Sequence, residues 1–374
     1  MIVFEYTLLI LCIIDVFGEA YTPGSDELLL HALTPLLHPL GGLLFDGPAS
    51  ISNAPTTTNQ NILPNLDQMM YYNYYAASTY YAYDHDDLSC EYCLKFSGDV
   101  DDHTVLNNNV HNTLALVTLS KKRQEIVVAF RGTWNVWNVV LDVLLIAATP
   151  YDTPEPILIH QGFYIAEMSL YDDVVRTIAK YLNLNPGLKV VLTGHSLGGA
   201  MARLTYFFLE DNKQFPSVVY ELFTYGEPRV GNVYFAEFMN NQPIVIARVV
   251  ARADIIPHIP PTSIIGTNLL GDYYVHAQTE FWIDGQQDQK FCQQNVYEDP
   301  NCSMSLGPLY NVVDHVTYFD TNLASVIGQP LVVAYLPLRL LNPVDTLPPL
   351  PKPMENLIGD TAQELVGAIS PILG

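Results

Sequence analysis

Lys189-Val190-Val191-Leu192-Thr193-Gly194-His195-Ser196-Leu197-Gly198-Gly199-Ala200-Met201-Ala202-Arg203-Leu204 is the stretch on which the reading of this chain turns. Its first part, an unbroken apolar run at Val190, Val191 and Leu192, has the pattern of a short strand buried on both faces. From Leu197 to Glu210, with Ala200, Ala202 and Leu204, the pattern is helical. Between them Gly194-His195-Ser196-Leu197-Gly198 fits G-x-S-x-G. That pentapeptide alone is common. Set between strand and helix, it is a sharp turn that exposes the serine at the strand's carboxyl end. Side chains larger than glycine at 194 and 198 would collide with neighbouring elements. The helix N-terminus directs its amides at any negative charge formed beside Ser196. Ser196 is therefore a candidate nucleophile rather than a structural serine.

The same alternation extends from about 66 to 325. Asp67 to Tyr83 reads as a Tyr-rich helix, and Leu114–Leu119 with Ile126–Phe130 as a hairpin turning at Lys121-Lys122-Arg123-Gln124, a solvated basic turn. Phe163 to Leu182 is helical, and strands are expected at Val219–Tyr225, Ile246–Val250 and Tyr273–Ile283. Strands alternating with helices imply an α/β domain, a sheet covered on both faces.

Composition narrows the function. The chain has 374 residues, 49% hydrophobic and 15% charged, too apolar for disorder throughout. A net charge of −23 repels phosphate backbones and anionic lipid headgroups, so an uncharged or apolar substrate fits better than nucleic acid. Leu8 to Phe17, interrupted by Asp15 and followed by Gly18-Glu19-Ala20, reads as a secretory signal cleaved after Ala20, although no Lys or Arg precedes it; it is too short to span a membrane. Residues 21–65, with Pro35, Pro39, Gly41-Gly42 and a polar stretch, resemble a propeptide or linker. Residues 326–374 are Pro-rich, and Leu357, Ile358, Ala362, Leu365, Val366 and Ile369 recur there at the spacing of a short amphipathic helix.

Beyond Cys12 in the leader, four cysteines remain: Cys90, Cys93, Cys292 and Cys302. An even number in a secreted chain favours disulfides. Proximity suggests Cys90–Cys93 and Cys292–Cys302, with two other connectivities possible. The second pair has no nearby His, which argues against zinc, and no cofactor is called for. Asn301-Cys302-Ser303 is formally a glycosylation sequon with a cysteine at its centre.

A nucleophilic serine needs a base, and the base needs an orienting acid, in the chain order Ser, acid, His. The downstream histidines are His258, His276 and His315. His276 lies within a strand pattern. His258, in a Pro-rich loop, suits a structural hydrogen-bonding role. His315 begins a new element and is placed to reach back over the serine. Asp254 follows the apolar strand Ile246–Val250 at the sheet edge where α/β sites form. Asp314 adjoins His315, and adjacent side chains rarely face each other.

With Cys90-Glu91-Tyr92-Cys93, Phe130-Arg131-Gly132-Thr133, His160-Gln161-Gly162-Phe163, Tyr225-Gly226-Glu227-Pro228-Arg229-Val230-Gly231, Ala253-Asp254-Ile255-Ile256-Pro257-His258 and Asp314-His315-Val316-Thr317-Tyr318-Phe319 in this order around the elbow, the chain resembles the fungal triacylglycerol lipases of lipase class 3. The resemblance spans most of 66–325 and neither terminal extension. It implies the α/β-hydrolase fold, with a predominantly parallel central sheet and helices on both faces. It also selects His315 as base and Asp254 as its partner. For the oxyanion, the amide of Leu197 is one donor, as the residue after the nucleophile. The resemblance assigns Thr133 as the other and Asp142 as the group holding the Thr133 hydroxyl.

After Thr133 comes Trp134-Asn135-Val136-Trp137-Asn138-Val139-Val140-Leu141-Asp142. On a helix, Asn135, Asn138 and Asp142 share one face, while Trp134, Trp137 and Leu141 share another. A core helix would show the same stripe. The resembled family carries its lid here, so Trp134–Leu141 are expected to cover the site in water. The resulting expectation is a secreted, monomeric serine esterase acting on lipid esters at an oil–water or micelle interface. A phospholipase A1, a feruloyl-type esterase or a non-catalytic binding module on the same fold are the alternatives.

Overall fold

The computed structural model describes residues 63–134, 148–151, 156–260, 274–277, 279–284, 289–293 and 297–327. The leader, residues 21–62, the expected lid from Asn135 to Leu141, Asp142 and the C-terminal helix lie outside them.

Helix α1 (Leu66–Ser78) starts at Asn65, whose side chain accepts the Gln68 amide while Gln68 Oε1 accepts the Asn65 amide. This reciprocal cap satisfies two otherwise orphaned donors. The helix ends five residues short of the expected Tyr83. Ser78 and Thr79 hydroxyls bond back to the carbonyls of Tyr75 and Ala76 at 2.8 and 2.7 Å, and the chain turns there.

Strand β1 (Asp102–Asn108), which the sequence pattern did not reveal, pairs antiparallel with β2 (Thr113–Ser120). The expected hairpin joins β2 to β3 (Glu125–Phe130), with Ala115 opposite Phe130 and Ser120 opposite Glu125. Its basic turn is only partly solvated. Arg123 folds back onto buried Glu125 at 2.7 Å and lies over the Tyr71 ring.

Short strands β4 (Ala148–Pro150) and β5 (Leu158–His160) follow. The expected single helix Phe163–Leu182 is two helices, α2 (Gln161–Met168) and α3 (Tyr171–Leu184). The break lies at Ser169-Leu170. There the Ser169 hydroxyl bonds the Ala166 carbonyl and meets Thr113 Oγ1 at 2.6 Å, while Asn108 takes the Ser169 carbonyl.

Next come β6 (Lys189–His195), α4 (Leu197–Asp211), β7 (Tyr220–Tyr225), β8 (Gly231–Asn232), α5 (Val233–Asn240) and β9 (Val245–Ala251). The expected strand Tyr273–Ile283 is split into β10 (Tyr274–Val275) and β11 (Glu280–Ile283). They serve different sheets. Strand β12 (Gln289–Phe291) and the ribbon β13 (Thr317–Tyr318)–β14 (Thr321–Asn322) complete the described chain.

Among the described residues the main sheet runs β1-β2-β3-β6-β7-β9-β11-β12. Its centre, from β3 to β11, is parallel, and its edges are antiparallel. Helices α1 and α4 both pack on β6 and β7. Central strands between two helical layers must be apolar on both faces, and β2, β3 and the interior of β6 are buried at every position. This is the α/β-hydrolase architecture, with the carboxyl ends of β6, β7 and β9 converging on one edge.

Two disulfides form, Cys90–Cys93 and Cys292–Cys302. Glu280 lies beside the second, but bridged sulfurs are not thiolates, so the trio is no metal site. No helix of the described residues is long and apolar enough to cross a membrane.

Candidate active site

The turn at Ser196 is forced from both sides. A Cβ at Gly194 would lie 2.2 Å from the Gly198 carbonyl oxygen, and one at Gly198 would lie 2.2 Å from that of Phe130. Neither could be relieved by a side-chain rotation. Ser196 itself sits at φ 59°, ψ −130°, a conformation that costs a non-glycine residue about 1–3 kcal/mol. Its amide closes the last rung to the Tyr225 carbonyl at 2.8 Å. Its side chain caps nothing, and Oγ is buried without a hydrogen-bond partner. Leu197 N–H, the first amide of α4, has no carbonyl one turn back in the helix to bond, which leaves it available beside the serine.

His315 lies in a short helical turn just before β13 and is fully buried. Its Nδ1 faces Asp254 Oδ2 at 2.8 Å. Asp254 lies three residues beyond β9 and is fully buried, and it also accepts from the Ile256 amide at 2.9 Å and from the Tyr318 hydroxyl at 2.5 Å. With a carboxylate as acceptor, the imidazole proton is assigned to Nδ1, and the Nε2 lone pair is free to take another. His315 Nε2 has no partner in the structure. The serine–imidazole hydrogen bond expected from the sequence is therefore not closed. One buried donor and one buried acceptor are left unmatched instead. Catalytic hydrogen bonds are often long before substrate arrives.

Asp314 turns away from its neighbour. It holds Arg252 Nε at 2.5 Å and the Ala253 amide at 3.1 Å, bracing the loop that carries Asp254. Gly226, at φ +59°, gives the pair room. A Cβ there would lie 2.7 Å from His315 Cε1 and 2.9 Å from Asp254 Oδ2.

Thr133 follows a glycine pressed against the elbow: a Cβ at Gly132 would lie 3.0 Å from Ser196 Cβ and 2.6 Å from the His195 carbonyl oxygen. Thr133 is half-buried, as is Trp134, which packs edge-on against Tyr80 and under the Arg131 guanidinium.

The other candidates have structural surroundings. His276 Nε2 bonds the Pro257 carbonyl at 2.7 Å. His258 is not the hydrogen-bonder expected from the sequence. Both ring nitrogens lack partners, and the ring stacks on Tyr310 at 3.9 Å. Burial and the neighbouring Arg229 and Arg248 hold the His258 imidazole far below its ordinary pKa, hence neutral.

Polar residues after β7 wire this edge together. Arg203 is paired with buried Glu227, which also accepts from Thr224. Arg229 grips Glu298 with two parallel bonds of 2.7 and 2.6 Å and bonds the carbonyls of His258 and Pro260. Arg229 thereby ties the loop after β7 to the segment just beyond Asp254.

Three residues at the site escaped the sequence reading as participants: Tyr318, Tyr80 and His195. Their partners lie 64 to 120 positions away, so no local pattern announces them.

The model of the class 3 lipases, "Lipase (class 3)", matches residues 127–264. A lipase of Rhizopus oryzae is 31% identical over 238 residues, covering 63% of this chain and 58% of the relative. A secreted mono- and diacylglycerol lipase of Penicillium camembertii is 27% identical over 288 residues, 73% of this chain and 88% of the relative. A crystal structure of a lipase from Rhizopus microsporus var. chinensis superposes with a TM-score of 0.62 at 29% identity, covering 74% of this chain and 96% of that one. The structure of a triacylglycerol lipase whose catalytic centre is described as a serine-protease triad gives 0.62 at 26% identity, covering 74% of this chain and all of the other. The chain thus spans 58% of the length of the Rhizopus relative.

Proposed function

We propose that this chain, which belongs to the class 3 lipase family, hydrolyses carboxylic esters of lipids, triacylglycerols above all, through Ser196, His315 and Asp254. The observation that carries the reading is the pair of unmatched buried atoms, Ser196 Oγ and His315 Nε2, with His315 already oriented by Asp254. Each unpaired buried polar group costs about 1–3 kcal/mol, and these two stand where an ester would use both, one on the nucleophile elbow and one on the free side of an imidazole that a carboxylate already orients.

In the proposed reaction Ser196 Oγ attacks the ester carbonyl as its proton passes to His315 Nε2. Asp254 stabilises the imidazolium so formed. The oxyanion of the tetrahedral intermediate is held by Leu197 N–H and by Thr133, with Asp142 steadying the Thr133 hydroxyl. One such preplaced donor is worth about 3 kcal/mol. His315 then gives its proton to the leaving alkoxide, and the acyl group remains on Ser196. Water, deprotonated by His315, releases the acid and restores the serine.

Trp134 to Leu141 form the proposed lid. An apolar substrate is supported by the charge of −23, which disfavours anionic partners. Secretion is supported by the two disulfides, which persist in oxidising compartments, and by the N-terminal apolar run.

The test is hydrolysis of a panel running from short aryl esters to emulsified triglycerides and phospholipids, by the wild type and by Ser196→Ala. Loss of hydrolysis by at least about 10³-fold in the variant is expected. Unchanged ester hydrolysis in Ser196→Ala would overturn the assignment.

A further inference from the structure

We propose that His195, the residue before the nucleophile, is a positioning residue that, together with Tyr80, ties the base His315 to the loop bearing Gly132 and Thr133. This rests on the ester-hydrolase reading above. His195 is buried, and both its ring nitrogens are engaged. Nε2 lies 2.8 Å from the His315 carbonyl oxygen, which can only accept, so Nε2 carries the proton. Nδ1 then presents its lone pair to the Tyr80 hydroxyl, also 2.8 Å away, and Tyr80 donates. The Tyr80 oxygen in turn rests on the Gly132 backbone, where a Cβ would stand 2.2 Å from it. One tautomer of one ring thus connects the main chain of the base with the loop of the proposed oxyanion donor.

The ring also lies against the base. Its centroid is 4.4 Å from that of His315, the planes tilted by 34°. A charge there would oppose the imidazolium that His315 must become. Burial, reinforced by His315 itself, keeps His195 far below the ordinary imidazole pKa. The other titratable groups around this contact are Tyr318, whose ring meets His195 edge-on at 5.6 Å, Asp254 on the far side of His315, and Arg131 near Tyr80. Burial raises the pKa of both tyrosines, so neither introduces a charge. His195 therefore holds position without competing for the proton. Its two anchors are the parts whose placement relative to Ser196 decides the rate, and a displacement of about 1 Å there costs on the order of 10²-fold.

The experiment measures kcat and KM on a soluble aryl ester, normalised to the Ser196 titrated by a covalent phosphonate. His195→Leu keeps much of the volume and removes both bonds; a loss of about 10²-fold in kcat at unchanged KM is expected. His195→Gln can donate to the His315 carbonyl and accept from Tyr80, and is expected to recover most of that loss. Tyr80→Phe, close to isosteric, is expected to lose about tenfold in kcat. Nitrogen-15 NMR is expected to find His195 as the neutral Nε2–H tautomer at pH 6. Wild-type kcat per titrated serine in either His195→Leu or Tyr80→Phe overturns the proposal, as does a Gln variant no faster than the Leu variant. If His195→Leu does not fold, Tyr80→Phe decides alone. A wild type that neither turns over ester nor takes the phosphonate at Ser196 overturns the hydrolase reading itself, a failure visible before any variant is made.

Discussion

Tyr318 donates its hydroxyl, at 2.5 Å, to the same oxygen of Asp254 that faces the His315 imidazole. The carboxylate is therefore held by a side chain four positions from its own carrier loop's bracing residue, Asp314, and not by solvent. Removing that donor in Tyr318→Phe leaves Asp254 with the Ile256 amide and His315. A hydrogen bond to a charged group is worth about 1.5–3 kcal/mol. Part of this is lost in orientation of the imidazole, and kcat/KM is expected to fall about tenfold. Kinetics of the variant and the wild type on one soluble aryl ester check this.

Gly226 is the point where the backbone passes closest to the Asp254–His315 pair. In Gly226→Ala the new methyl must displace the imidazole or the carboxylate, because the backbone on its other side is fixed by the bond from Gly226 N–H to Val249 O. Ester hydrolysis is expected to drop about 10²-fold. Stability is expected to fall by about 1–3 kcal/mol for the left-handed φ alone. Thermal melting and kinetics on the same preparation separate the two.

Glu167, fully buried on α2, has its pKa pushed up to about 8 by burial, against an ordinary value of 4.5. Its one hydrogen-bond partner is the Thr205 hydroxyl on α4, which also bonds the Met201 carbonyl. A single hydroxyl proton cannot serve both acceptors, whereas a protonated Glu167 donating to Thr205 satisfies the whole chain. Between roughly pH 4.5 and 8 the folded state then holds a proton that the unfolded state has released. Stability falls through that window by about 1.4 kcal/mol per unit at the steepest. Glu167→Gln removes the titration. Its melting temperature relative to wild type is expected to rise steadily from pH 5 to pH 8, as calorimetry at several pH values would record.

An apolar lid from Trp134 to Leu141 would respond to an interface. Moving roughly 400 Å² of apolar surface from water into lipid yields about 10 kcal/mol gross, ample to open a cover held by a few. The rate is expected to jump as ester concentration passes the critical micelle concentration. A smooth hyperbola through that point would remove the lid from the account.

The architecture was readable where the code is local. Val190 to Gly198 announces strand, turn and helix because the apolar run, the pentapeptide and the helical pattern are contiguous and Gly194 is required by the Gly198 backbone four residues on, although Gly198 itself answers to the distant Phe130 carbonyl. The β2–β3 hairpin was readable for the same reason. Strand β1, half-buried and polar at Asn107 and Asn108, had no apolar alternation to reveal it. The division between α2 and α3 rests on Thr113 and Asn108, more than 50 residues upstream of Ser169, and periodicity alone runs straight through it. At the site, the approach of Asp254 to His315 follows from the end of a central strand. The unpaired ring of His258 does not, because an imidazole in a Pro-rich loop gives no sign that it will stack on Tyr310.

Helix α1 is stitched to the ribbon following His315: Asn73 holds the Tyr318 carbonyl and the Thr321 hydroxyl, Tyr74 holds Asp320, and Tyr92 just beyond bonds both main-chain groups of Asn322. These partners are 230 to 248 positions apart. A nascent chain on the ribosome can complete the elbow long before it has made the strip that seats the imidazole. The proposed competence to cut esters therefore arrives at once and late, when the first helix of the described residues captures their final ribbon, and a chain halted before that ribbon would hold an elbow serine with no base to activate it.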